Sequence, residues 1–381
     1  GWAEQAPPPA ALCALGKAVV GGVAYPDVTT ASLASLPRQT VWLCPGVHEH
    51  VAQLSHGGPV AIAGMSREPW DTVVDGSTHR LYFVNAPRDS RVQVRNLAFT
   101  GFHGNGVLRF ADGFVGDVSN VAFADSGAEG LVAGHNTRWF RTRHMHARGE
   151  KRALTVEGSM SYQPTPGTVH EEFTTRALVE DVDIAATVDR LTAPLVSIVG
   201  YRGVSTPLSA FALEVTLRDV YLHDTLRAGH VIALRGDSIS ADFHRLTVRN
   251  VVVEGPGTCG YAALLFHLGG RGVGGVRVRF FEPVIEDNAA TYVFYFSHYG
   301  IEDETRWQTW VDGGRFHRNT TCYSAFGQGF GSVYLRGVDF GEGADDNTSD
   351  FDGPCGVVQD MAPFDTFTGV RHPLWGYGLC P

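Results

Sequence analysis

Small polar residues flanked by apolar ones recur along this chain at a fixed phase. In VRNLAF (94–99), apolar side chains lie two residues before Asn96, one residue after it and three residues after it. The intervals between copies, one of them near residue 143, are 23 to 38 residues. Such internal repeats are typical of solenoid proteins. The other pivots are Asn120, Asp181, Asp219, Asn250, Glu282, Gly313 and Gly337.

The residues before each pivot alternate between apolar and polar with period two, which is the period of a β-strand. The phase is kept across the pivot, so we expect the chain to bend there. Asn, Asp and Gly adopt left-handed backbone conformations at low cost. The sequence therefore predicts an all-β, single-stranded parallel β-helix. A β-sandwich, whose strands recur every 8–12 residues or so, or a β-propeller fits the pattern less well.

The copy within 140–146 (FRTRHMH) admits two registers. A pivot at Arg143 would bury both histidines of the segment. A pivot at Thr142 instead buries Phe140 and Met145 and turns both histidines outward, because a shift by one residue exchanges the two faces of a strand. We therefore expect the pivot at Thr142.

Three early segments, TVWLCPGVHEHV (40–51), PVAIAGM (59–65) and TVVDG (72–76), resemble the first coils of secreted right-handed parallel β-helix proteins of the pectate-lyase-like superfamily. The resemblance covers roughly residues 18–343 and implies a fold far more strongly than an activity. It predicts a β-helix over 40–343, between an N-terminal capping segment (1–39) and an acidic loop with a disulfide-pinned capping tail (344–381).

The predicted capping segment contains a short helix. Asp27 or Thr29 is placed to cap it, and Leu33 and Leu36 would lie together on one side.

The charge and hydrophobicity of the chain limit the classes of partner that it could bind. The formal net charge is −10 and lysine occurs only at Lys17 and Lys151, which argues against a nucleic-acid or anionic-membrane surface. No run of 18 apolar residues is present, so no membrane span is predicted. We expect the partner to be a polysaccharide or other surface glycan, copies of the chain itself, or other extracellular proteins.

The six cysteines occur without any CxxC pair, which favours disulfides over zinc. The opening GWAEQAPPPAALC is like a mature chain after signal removal, so we expect a secreted or cell-surface protein. Cys13 is expected to pair with Cys44, and the partners of the other cysteines stay open. Sequons at Asn319 and Asn347 are glycosylation candidates. The remaining cysteines are Cys259, Cys322, Cys355 and Cys380.

The strongest candidate site is the cationic, aromatic segment RWFRTRHMHARGEKR (138–152). Such a strip suits an anionic polysaccharide, because guanidinium groups bind carboxylates and a His or Lys can act as a base. Polysaccharide lyases of the resembled fold use Arg and Lys in this way. A solvated strand face is the alternative. The candidate ligand-binding residues are Arg141, Arg143, His144, His146, Arg148 and Lys151.

A second candidate is the acidic stretch 344–355, where clustered carboxylates and a turn glycine are the kind of ligands that calcium takes. The stretch does not match the D-x-D-x-D-G-x5-E calcium loop, and an exposed polar loop is the alternative. No other cofactor is predicted. The carboxylates are Asp345, Asp346, Asp350 and Asp352.

The chain lacks the signature motifs of polygalacturonases, alginate epimerases and pectate lyases. We therefore favour a non-catalytic extracellular structural or adhesive protein, either glycan-binding or a filament or matrix subunit. The alternative is a polysaccharide lyase or glycoside hydrolase that acts on an acidic polysaccharide through the 138–152 strip.

Overall fold

The computed structural model of this chain is an all-β structure in which the strands are mostly parallel. It describes residues 5–50, 52–54, 60–78, 82–86, 91–104, 106–111, 115–127, 130–135, 137–148, 152–159, 174–185, 188–189, 194–201, 211–227, 229–236, 238–253, 263–269, 275–298, 307–328, 332–347 and 368–370.

One α-helix, α1 (Val28–Ala34), and short 3₁₀ helices at Ala10–Ala14, Pro69–Asp71 and Gly343–Asp345 accompany the strands. The first strands are β1 (Ala18–Val20), β2 (Val23–Tyr25), β3 (Thr40–Leu43), β4 (Gly46–Glu49), β5 (Val60–Gly64), β6 (Thr72–Asp75), β7 (Val84–Ala86), β8 (Arg91–Thr100), β9 (Leu108–Ala111), β10 (Val115–Ala124), β11 (Val132–His135), β12 (Trp139–Arg148), β13 (Leu154–Ser159) and β14 (Thr175–Ala185). The later strands are β15 (Val188–Asp189), β16 (Val196–Tyr201), β17 (Leu213–Arg227), β18 (Ile232–Gly236), β19 (Ile239–His244), β20 (Thr247–Val253), β21 (Ala263–Gly269), β22 (Val276–Phe281), β23 (Val284–Glu286), β24 (Ala289–His298), β25 (Trp307–Asp312), β26 (Arg315–His317), β27 (Thr320–Gln328), β28 (Ser332–Arg336) and β29 (Thr368–Val370).

The chain divides into two compact units, unit 1 (1–156 with 182–184) and unit 2 (157–181 with 185–381). In unit 1, parallel pairing runs through β3, β5, β8, β10 and β12, and separately through β7, β9 and β11. In unit 2 it runs through β17, β19, β22, β25 and β28, and through β20, β23 and β26. Each strand pairs with its counterpart one repeat further along, which is compatible with a parallel β-helix.

The N-terminal segment forms the predicted helix with a different buried face. The Asp27 carboxylate caps α1 by accepting the Thr30 backbone N–H at 2.7 Å. The helix buries Val28 and Ala31, three residues apart, so Leu33 falls on the opposite side and is 84% exposed. Leu36, expected on the same side of the helix as Leu33, lies beyond the end of α1 and is 64% exposed. Beside the helix, β1 pairs antiparallel with both β2 and β3.

The predicted bends are confirmed. All eight named pivots have positive φ, between 51° at Asn250 and 68° at Gly313. The flanking apolar positions are buried, as at Asn96, where Val94, Leu97 and Phe99 are each 0% exposed. Phe99 also stacks on Phe123 of the next strand, with ring centroids 5.1 Å apart. The repeated pattern of apolar residues around a pivot therefore locates both the bends and the buried columns of the sheet.

The sequence pattern predicts that the pivots of successive repeats align in a single column. In unit 2 the strand registers instead align the bends in two separate columns. Between Asp219 and Glu282, the aligned residue is Arg245, with φ of 54°. Asn250 lies in the second column, which also contains Asp224, Asp287 and Arg318. Arginine seldom adopts this conformation, so the sequence gives no sign of it. Here the Asp219 carboxylate accepts hydrogen bonds from Arg245 Nε and Nη2 at 2.5 and 2.6 Å.

A ladder of buried asparagines lies beside the second column of bends. Asn288, Asn319 and Asn347 are 2%, 1% and 6% exposed. Asn288 Nδ2 donates to Asn319 Oδ1 at 2.9 Å, and Asn319 Nδ2 donates to Asn347 Oδ1 at 2.8 Å. Asn347 Nδ2 in turn donates to the backbone oxygen of Phe316 at 2.6 Å. The amides of Asn319 and Asn347 therefore have a structural role in this ladder, and glycosylation at their sequons stays a prediction.

Candidate functional site

The repeat near residue 143 bends at His144, with φ of 51°. The pairing of β10 with β12 aligns Val121 with Met145 and Val118 with Thr142, so His144 occupies the place of Asn120. The predicted faces are confirmed, because Met145 is 0% exposed and both histidines of the segment are exposed. The predicted pivot at Thr142 is wrong by two residues. Thr142 instead fills the interior column where the neighbouring strand has valine.

The bend at His144 divides the predicted cationic strip between two faces. Arg141 and Arg143 point outward before the bend, whereas His146 and Arg148 point outward after it. Lys151 lies outside the described residues. The sequence prediction of one continuous strip is therefore too simple, and each face has its own chemistry.

The outward side chains of β8, β10 and β12 before the bend form one surface, which we call the Trp139 face. The strand registers set these side chains in rows that cross the strands, with neighbours about 4.8 Å apart. One row runs Gln93, Asp117, Arg141 and a second runs Arg95, Ser119, Arg143. The full set is Arg91, Gln93, Arg95, Val115, Asp117, Ser119, Trp139, Arg141 and Arg143.

Asp117 organises the centre of the Trp139 face. Its carboxylate accepts hydrogen bonds from Arg141 Nε at 3.0 Å and Nη2 at 2.5 Å, and from Gln93 Nε2 at 3.3 Å. The Asp117 side chain is 8% exposed, whereas that of Arg141 is 41% exposed. Arg141 is therefore held in a fixed orientation with part of its guanidinium open to solvent.

The Trp139 face carries an excess of positive charge. Among the described outward side chains of this face are four arginines and one carboxylate, that of Asp117, in a chain whose formal net charge is −10. Arg95 lies over the Trp42 ring, with Cζ 5.3 Å from the ring centroid. Arg143 Nε is buried and has no hydrogen-bond partner within the described part of the chain. Trp139 is 56% exposed at the edge of this face.

The face beyond the bend is different, because Arg148 and His146 both lie beside one carboxylate. Asp183 Oδ2 lies 3.4 Å from Arg148 Nη2 and 3.5 Å from His146 Nδ1. His146 and Arg148 are predicted site residues, and the structure separates them from the Trp139 face. Conversely, the sequence prediction missed Arg91, Arg95 and Asp117. Placing the pivot at His144 would have aligned these strands correctly. Asp117 lies three residues before Asn120 and Arg141 lies three residues before His144, so the two side chains are neighbours in that alignment.

The predicted calcium residues lie partly outside the described chain, since Asp350 and Asp352 are not described. Asp345 Oδ1 accepts a hydrogen bond from Arg318 Nη1 at 2.6 Å, so a cation there would compete with a guanidinium. Asp346 is half-buried. Among the described residues, no group of three or more acidic, histidine or cysteine side chains is arranged to hold a metal ion. Calcium binding stays a prediction.

The disulfide between Cys13 and Cys44 is confirmed. The other cysteines lie outside the residues whose side chains are described, namely Cys259, Cys322, Cys355 and Cys380. No helix in the described ranges is long and apolar enough to cross a membrane.

Comparison with known proteins adds little to the site. No protein-family model matches the chain, and no curated protein matches it either. One similar solved structure is titled "Structure of sacteLam55A from Streptomyces sp. SirexAA-E". The sequences are 11% identical, the match covers 78% of this chain and 87% of that chain, and the TM-score is 0.20. A TM-score this low does not establish a common fold.

Proposed function

We propose that this chain is an extracellular, non-catalytic protein that binds an anionic polysaccharide on the Trp139 face. The excess of guanidinium groups on that face carries the proposal, since guanidinium binds carboxylate and sulfate oxygens through parallel hydrogen bonds. Arg141 and Arg143 are presented from one β-strand and Arg91 and Arg95 from another. The exposed Trp139 ring offers apolar contact beside them, as aromatic residues do at many binding surfaces.

We further propose that the parallel strands belong to a right-handed β-helix that serves as a rigid display scaffold. Connections between parallel strands of one sheet are almost always right-handed. A disulfide at Cys13–Cys44 suits an oxidising, extracellular compartment. Rigidity is supported by ion pairs between residues of neighbouring repeats, each of which ties one repeat to the next. These pairs are Asp117–Arg141, Glu214–Arg176, Asp219–Arg245, Asp242–Arg279, Asp287–Arg318 and Asp312–Arg336.

The chemistry of Asp117 favours binding over catalysis. It is the carboxylate of the Trp139 face, and its oxygens are occupied by Arg141 and Gln93. A general acid or base must reach the proton that it transfers, and a nearly buried counterion does not. The lyase or hydrolase alternative would therefore need groups outside this face.

Affinity electrophoresis in gels containing polygalacturonate or alginate tests the proposal. We expect both polymers to retard the wild-type protein, and we expect added salt to weaken the effect. Arg143→Ser combined with Trp139→Ala should abolish retardation, whereas Arg148→Ser is the matched control from the face beyond the bend. Equal retardation of the double variant and the control would refute the assignment. Release of unsaturated uronic acids or new reducing ends by the wild type would instead establish the enzymatic alternative.

A further inference from the structure

The outward side of β22 and β25 in unit 2 carries aromatic side chains at positions where polar residues are usual. Successive residues of a strand point to opposite faces. Phe280 and Val311 are 0% exposed and point inward, so Phe281 and Trp310 point outward, and both are half-buried. Apolar area kept on an outer sheet face is a feature of binding surfaces.

The strand registers arrange six outward side chains in two rows across β19, β22 and β25. Asp242, Arg279 and Trp310 align in the first row, and His244, Phe281 and Asp312 align in the second. We call these six residues the Phe281 face. Its rows place neighbouring side chains one strand spacing apart, about 4.8 Å.

The ring of Phe281 is held in a defined orientation. The His244 ring stacks on it, with centroids 4.6 Å apart and an angle of 12° between the planes. Arg279 Cζ lies 5.7 Å from the Phe281 ring centroid, within the range of a cation–π contact. A ring fixed in this way loses little conformational freedom when a ligand packs on it.

The charges of the Phe281 face are matched, unlike those of the Trp139 face. Arg279 Nε donates to Asp242 Oδ1 at 2.6 Å, and Arg336 Nε, on the next strand, donates to Asp312 Oδ1 at 2.7 Å. Burial, with a smaller contribution from nearby Arg218, lowers the pKa of His244, so its ring is neutral near pH 7. Each Arg–carboxylate pair offers both donors and acceptors, which is the combination that a sugar hydroxyl requires.

We propose that the Phe281 face is a second binding site, for a neutral polysaccharide. The apolar C–H side of each pyranose ring packs on Phe281 or Trp310, and the hydroxyls bond to the Asp242–Arg279 and Asp312–Arg336 pairs. The strand spacing of about 4.8 Å is close to the length of one pyranose unit, so a glycan that crosses the strands meets a new strand with each sugar. Bulk charge contributes little here, because the face presents no large excess of either sign.

Affinity electrophoresis in about 0.5 M salt, which screens the attraction of anionic polymers, provides the test. The gels contain hydroxyethylcellulose, xylan, laminarin or galactomannan. We expect at least one of them to retard the wild type, and we expect Phe281→Ala combined with Trp310→Ala to weaken binding at least tenfold. Trp70→Ala is the matched control, since Trp70 is exposed and lies in unit 1. Retardation by none of the four polymers would overturn the proposal.

A loss caused by misfolding is distinguished by gentler changes at Phe281. Phe281→Tyr keeps the ring and should keep binding, whereas Phe281→Leu keeps apolar volume without a ring and should lose it. Equal binding by these two variants would contradict the role of the ring. The two proposed sites can also be tested independently. The Phe281 variants should keep wild-type retardation by polygalacturonate at low salt, so loss of one site leaves binding at the other unchanged.

Discussion

His144 adopts the left-handed backbone conformation at the place that Asn120 occupies in the neighbouring strand. Their φ angles are 51° and 52°, and the residues on either side of them pair in register. Most residues other than glycine pay about 1–2 kcal/mol for this conformation, whereas asparagine reaches it more readily because its short polar side chain can hydrogen-bond locally. The bend at His144 is thus imposed by the packing of Thr142 and Met145 into the interior columns rather than by the local preference of histidine.

His144→Asn should therefore stabilise the protein by about 0.5–1 kcal/mol. The new amide would also lie next to Asn120, whose Nδ2 already donates to Asn96 Oδ1 at 2.9 Å. Chemical unfolding monitored by circular dichroism measures the change. His146→Asn, an exposed histidine two residues away, is the control and should leave the free energy of unfolding within about 0.5 kcal/mol. A variant no more stable than this control would show that the bend carries no strain.

The same comparison explains how far the sequence could predict the fold. At Asn96, Asn120 and Gly313 the local residue itself favours the bend, so the pattern locates strands, bends and buried columns. His144 and Arg245 bend because their neighbours require it, and no residue preference reveals them. The strand faces around His144 were still predictable, because alternation depends on apolar side chains and not on the pivot.

The candidate site was predictable in part for the same reason. Arg141 and Arg143 stand out as a cationic cluster, but Asp117, the partner of Arg141, lies 24 residues before it and is recognised only when the strands are aligned. The sequons did not reveal the asparagine ladder, because an N-x-S/T triplet says nothing about burial. Asn319 satisfies the triplet while its amide is bonded inside the protein.

Removing the side chain at Asn319 should destabilise unit 2 strongly. Asn319 Nδ2 donates to Ile285 O at 2.9 Å and to Asn347 Oδ1 at 2.8 Å, so Asn319→Ala leaves buried acceptors without donors. We expect a loss of about 2–4 kcal/mol in the free energy of unfolding. Thr320→Ala, at an exposed neighbouring position, should cost less than about 0.5 kcal/mol. Similar losses for the two variants would rule out the ladder as a source of stability.

Glu286 provides a test of buried charge. Its side chain is 3% exposed and accepts hydrogen bonds from Arg249 and Arg315. Glu286→Gln leaves these guanidinium groups without their counterion, and we expect a loss of about 3–5 kcal/mol. Glu214→Gln breaks an exposed pair with Arg176, whose atoms lie 3.1 Å apart, and should cost no more than about 1 kcal/mol. Thermal and urea unfolding of both variants would decide the point, and a loss at Glu286 as small as that at Glu214 would contradict it.

His230 makes the stability of unit 2 depend on pH. Burial lowers its pKa from 6.5 to about 4, with a smaller contribution from the charge of Arg235. Its Nδ1 accepts the backbone N–H of Ala263 at 3.2 Å, so the folded protein holds the ring neutral. Because the unfolded chain binds the proton more tightly, the stabilisation is complete above the unfolded pKa and is lost as the pH falls from 6.5 towards about 4.

The expected loss from this one group is about 2–3 kcal/mol between about pH 7.5 and about pH 4.5. His230→Gln removes the titrating ring, so its free energy of unfolding should fall less over the same interval, by about that amount. Urea unfolding at the two pH values measures both slopes. His146→Gln, at an exposed histidine, is measured in parallel as the control for the His-to-Gln replacement itself. Burial also lowers the pKa of His48, so part of the pH dependence should survive in His230→Gln. Identical slopes for wild type and His230→Gln would mean that His230 takes up no proton on unfolding.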